Sequence, residues 1–123
     1  TAADEALDSM KKDEDILAMG VSKLKDETFN KFWQRWQTHR INKKIPQKMI
    51  FSEKSKYYQT FTKSKYTQAK VLIGMTPATI DIFGDDKTLI LNYGDSPSCI
   101  LIYDKNTAQS FRQFFKQLWK MAK

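Results

Sequence analysis

The stretch "IDIFGDDKTLILNY", residues 80–93, sets Gly84-Asp85-Asp86 between two apolar runs. The same three letters mark the metal-binding hairpin of nucleic-acid polymerases, where paired carboxylates hold cations against phosphates. That chemistry needs a further carboxylate on a neighbouring strand and a far longer chain to hold template and nucleotide. Asp81 stands four residues before Asp85 on the same run, and Asp95 falls in the next turn. Gly and Asp also supply the positive-φ positions that short hairpins require. The stretch therefore reads as two antiparallel strands joined by a turn, with no metal site and no cofactor.

On its C-terminal side, "GDSPS" turns the chain into a further strand, "CILIYD". Ala108, Phe111, Phe114, Phe115 and Leu118 then recur at helical spacing, with Asn106 or Thr107 as the cap and Trp119 at the border of the stripe. On the N-terminal side, Ala69–Gly74 reads as a buried strand closed by a break at Thr76-Pro77. Asp15–Val21 and Lys48–Phe51 read as two more strands. A short helix around Ala6, Leu7 and Met10 precedes them, and a weaker helix carries Tyr57, Tyr58 and Phe61. Between the first two strands a long helix places Phe29, Phe32, Trp33 and Trp36 on one apolar stripe, with acids at its start and bases at its end. The order is α-β-α-β-α-β-β-β-β-α. Strands alternating with helices and then following one another predict an α/β fold, with a mixed sheet flanked by helices.

The chain has 123 residues and a formal net charge of +7. Residues 1–27 carry four Lys against eight Asp and Glu, whereas residues 28–70 carry eleven Lys and Arg against Glu53 alone. No apolar run approaches the ~18–20 residues of a membrane span, and no signal peptide opens the chain. Cys99, the one cysteine, falls in an apolar run and reads as a buried thiol in a reducing cytoplasm.

His39 is the only histidine, and no Gly-x-Ser-x-Gly elbow or glycine-rich phosphate loop accompanies it. No catalytic residues are assigned. The interleaved basic and aromatic stretch around "RWQTHRINKK" is the best anion or effector site in the sequence. It offers Arg35, His39, Arg40, Lys43, Lys44 and, further on, Lys48, which together suit phosphates or a small anion.

From Ile80 to Lys120 the order of hairpin, acid-ended strand and helix with paired Phe and a final Leu-Trp resembles the closing segment of the TrmB-type archaeal transcriptional regulators. Upstream, "DILAMGVS", the helix ending "WQTHRINKK" and "IPQKMIFSEKSKYY" follow the same order, so the resemblance covers about residues 10–121. It implies a phospholipase-D-like sandwich, with residues 1–13 as the end of a linker helix and residues 14–123 as one regulatory domain. It also implies a homodimer, a small effector, and DNA binding through a winged helix-turn-helix that this chain does not contain. The His-x-Lys signature of phospholipase-D enzymes is missing, since Ile41 stands two residues after His39, so the expectation is no catalysis. Two alternatives stand beside it: a nucleic-acid-binding module using residues 35–70, and a degenerate phosphodiesterase. Phe114 and Trp119 lie toward the edges of the last helical stripe and are the expected dimer contacts.

Overall fold

The computed structural model describes residues 1–23, 26–74, 78–94 and 96–123. Its elements are α1 (Ala2–Asp8), β1 (Ile16–Val21), α2 (Glu27–Asn42), β2 (Gln47–Phe51), α3 (Lys56–Thr62), β3 (Thr67–Val71), β4 (Thr79–Phe83), β5 (Lys87–Asn92), β6 (Ser98–Tyr103) and α4 (Lys105–Met121). This is the expected α/β order. The break read at Thr76-Pro77 and the acid Asp95 lie outside the described residues.

The six strands form one sheet in the order β3-β2-β1-β4-β5-β6. β1, β2 and β3 run parallel, joined by α2 and α3, and β4, β5 and β6 are antiparallel. β1 is thus central, and the hairpin read from the sequence pairs with it through β4. A bulge interrupts β1 between Met19 and Val21, at Gly20, whose φ of 73° is one that residues with a side chain rarely adopt.

Alternation along each strand sorts the core into two sides. On one side Ile16, Phe83, Leu89 and Leu91 meet Ala3, Ala6 and Leu7 of α1 and Trp36 of α2. Met49, Phe51 and Phe61 continue that layer under α3. On the other side Leu17, Met19, Ile50 and Ile82 meet Ala108, Phe115 and Ala122 of α4. α1 belongs to the core as well as preceding it: Trp36 donates its indole N–H to the Ala3 carbonyl at 3.1 Å.

The Gly84-Asp85-Asp86 segment is the hairpin turn, with Phe83 opposite Lys87 and Gly84 at φ 62°. It is fastened from two directions, by Asp15 ahead of β1 and by Arg112 of α4. Gly84 donates its N–H to the Asp15 carbonyl at 2.9 Å. Arg112 of α4 donates to the Gly84 carbonyl and pairs with the Asp15 carboxylate, both at 2.7 Å. The cap of α4 is Asp104, two residues ahead of the expected Asn106; its carboxylate accepts from the Thr107 hydroxyl and from the Thr107 N–H, both at 2.8 Å, which holds it below the usual carboxylate range. A carboxylate that ends a strand is poised to accept from the first turn, so it takes the cap ahead of either neighbour.

Candidate functional site

The basic segment does not assemble into one surface. Arg40 is fully buried, and its five N–H groups all have acceptors. Nε donates to Gln37 Oε1 at 2.9 Å, one terminal nitrogen to the carbonyls of Ile45 and Tyr66, and the other to the Lys65 carbonyl and Thr67 Oγ1. Burial lowers the guanidinium to about 10, so it stays charged at neutral pH. Arg40 is a clamp joining the end of α2 to the starts of β2 and β3, with no donor left for an anion. Lys48 lies on the opposite side of the sheet, its ammonium 5.6 Å from the ring centre of Trp119. Lys43 is exposed and reaches the Leu7 carbonyl at 3.3 Å, and Lys44 ends α2 in a left-handed conformation with φ 59°. His39 pairs with Asp8 at 3.0 Å on open surface, with side chains 51% and 63% exposed.

Arg35 has a different setting. It stands at the rim of a groove of about 680 Å³ between the start of α1, the first half of α2, and β5–β6. Phe29, Phe32 and Trp33 form one wall, and Leu89, Leu91 and Tyr93 form the floor. The aromatic residues are locked edge to face: Phe29 lies 5.5 Å from Tyr93, and Trp33 lies 5.1 Å from Phe32 and 5.4 Å from Trp36. Trp33 also donates its indole N–H to the Tyr93 hydroxyl at 2.9 Å. Lys31, one turn before Arg35, shares the rim, and among the described residues no Asp or Glu lines the groove. Cys99 faces into it and is exposed. The expectation of a buried thiol fails because β6 is the edge strand, a position its apolar run does not announce.

Trp33 also borders two further spaces. One is an inner void of about 50 Å³ beside Asp81 and Tyr57. Burial pushes the Asp81 carboxyl up to about 7, and Asp81 in turn adds to the burial that raises Tyr57. The other is a cleft of about 680 Å³ between α2 and α3, whose rim mixes Lys23 and Lys56 with Glu27 and Glu53 and so selects neither sign of charge. Of the three spaces, the Phe29–Tyr93 groove alone combines an apolar interior with a rim whose charged side chains, among the described residues, have one sign.

The expected dimer residues divide. Trp119 stacks on Phe115 at 5.6 Å and is covered by Lys70, 4.5 Å from its ring centre. It seals the β2–β3 side of the sheet. Phe114 is 61% exposed.

The signals for the groove were present in the sequence but divided. Lys31 and Arg35 stand four residues apart, the spacing that puts two side chains on one helix flank. Tyr93 and Cys99 join them only through the strand order. No family model matches this chain, and no curated protein does.

Proposed function

We infer that this chain is the regulatory and dimerisation domain of a TrmB-like transcriptional regulator. In this reading it works in the cytoplasm, reaches DNA through a winged helix upstream, carries a small anionic effector site and does no chemistry of its own. The observation that carries the reading is the open half of the α4 side of the sheet. Among the described residues one helix covers this side of six strands, with Trp119 leaning toward Lys48 and Lys70 of β2 and β3. Helical spacing turns Phe114 and Met121 to the other flank, toward β5 and β6. There Ile90 and Ile100 stand directly opposite one another, beside Ile80, which packs against the core under α4. Phe114, Met121 and Ile100 are 61%, 65% and 58% exposed.

Beside this surface runs β6, an unpaired edge whose six residues include no charge and no proline. Natural edges are ordinarily blunted by such residues, because a bare apolar edge recruits other strands. A second copy related by a two-fold axis covers the same patch on both chains at once. The nucleic-acid alternative has less support, since Arg40 is buried and Lys48 lies across the sheet from α2. For a phosphodiesterase, the His39–Asp8 pair on open surface supplies no enclosed site. Sedimentation equilibrium tests the reading: Phe114→Lys should weaken the dimer at least 10-fold, as an unpaired charge is forced into an apolar contact. An unchanged dissociation constant would remove this surface from the interface.

A further inference from the structure

We propose that the groove between α2 and β5–β6 binds a small amphipathic carboxylate, with its apolar body on Phe29, Trp33 and Leu91 and its anionic head between Lys31 and Arg35. The inference rests on the regulatory reading only for its consequence; the site itself is argued from the groove.

Four features point to this ligand. The interior is apolar and aromatic, with the tight edge-to-face contacts that hold a pocket open before a ligand arrives. The volume of about 680 Å³ suits a molecule of roughly ten to twenty heavy atoms. The rim is cationic on one side only. Lys31 and Arg35 make no ion pair among the described residues, and the guanidinium carbon of Arg35 stands 5.8 Å from the ring centre of Phe32, over the groove wall. A guanidinium held that way presents its edge donors to a carboxylate. Finally, Tyr93 accepts from Trp33 and has no acceptor for its own O–H among the described residues, which leaves one neutral donor in the floor.

Charge complementarity excludes the other occupants in turn. A cationic ligand would meet two like charges at the rim. A purely apolar one would leave Lys31 and Arg35 without the partner that their placement offers. A long acidic peptide would need basic residues along the floor, which is apolar.

The site carries its own reporter, because Cys99 is the only cysteine and faces the groove. Its reaction with Ellman's reagent can be timed with octanoate, 1-octanol or octylamine present, and the oligomer measured by light scattering in the same samples. Octanoate should slow labelling at least 10-fold more effectively than 1-octanol, and octylamine should be the weakest of the three. Lys31→Gln with Arg35→Gln should erase the preference for octanoate while leaving protection by 1-octanol in place. Both changes are on exposed positions, so the fold is retained. Equal protection by all three ligands, or by none, would overturn the proposal. So would octanoate protection that is lost as the protein is concentrated into its dimer, since a second copy would then fill the groove. A dimer that persists while octanoate fails to protect would sink the ligand site and leave the regulatory reading standing.

Discussion

Trp33 of α2 and Tyr93 at the end of β5 are joined by a 2.9 Å hydrogen bond across sixty residues of sequence. It is the tie between the helix that forms the groove wall and the strand that forms its floor. Burial also raises the Tyr93 phenol to about 12, so it remains a neutral acceptor and donor at neutral pH. Tyr93→Phe should cost about 1 kcal/mol, the usual net worth of such a bond, read as a lower urea midpoint with unchanged slope. It should also shift indole emission, because Trp33 Nε1 loses its acceptor. A midpoint and spectrum identical to the parent would mean the tie is not formed in solution.

Asp81 sets a pH dependence. Its carboxyl titrates at about 7 when folded and near 3.8 when unfolded, because burial penalises the charge. The raised value means that the folded chain holds the proton more tightly. The stabilising contribution is fully present below about 4 and is lost as pH rises through 7. Asp81→Asn should therefore match the parent near pH 4 and exceed its Tm by several degrees at pH 8. A gain independent of pH would contradict this assignment.

Arg40 is a structural clamp. Arg40→Lys keeps the charge but brings three donors to five acceptors in place of a planar fork, so the Ile45, Lys65 and Tyr66 carbonyls, Gln37 and Thr67 are left incompletely matched. A loss of roughly 2–3 kcal/mol in unfolding free energy is expected. Sulfate or phosphate should not protect the parent through this residue. An Arg40→Lys variant as stable as the parent would return Arg40 to the surface anion candidates.

Thr88 is fully buried on β5, opposite Ile82 and Ile102, and its hydroxyl has no partner among the described residues. Thr88→Val removes the unmatched polar group at nearly constant volume and should stabilise the fold by about 1 kcal/mol. Thermal unfolding with a lower Tm for the variant would show that the hydroxyl has found a partner.

The order of elements and the Gly84 turn were legible because both are local: runs of period two or 3.6, and residues that accept positive φ. What remained hidden depends on non-local pairing. The long helix reads as a stripe of Phe29, Phe32, Trp33 and Trp36, yet Trp36 is the only one of these fully buried, alongside Asn30 and Arg40. Arg40 can be buried because its acceptors are backbone carbonyls that carry no mark in the sequence. Cys99 reads as buried because its run is apolar, but β4 inserts beside β1 and leaves β6 at the edge. The groove likewise draws Lys31 from a helix and Tyr93 from a strand that only the tertiary fold brings together.

In the proposed reading, the open flank of α4 and the face of β6 join two copies of this chain. Light scattering over a concentration series, from low to high micromolar, tests it most directly. The mass of two chains is expected for the parent and for Trp119→Ala, the latter with a reduced Tm, and the mass of one chain for Ile100→Lys combined with Phe114→Lys. A parent that remains a single chain throughout the series, with its mass unmoved by either substitution, would contradict it.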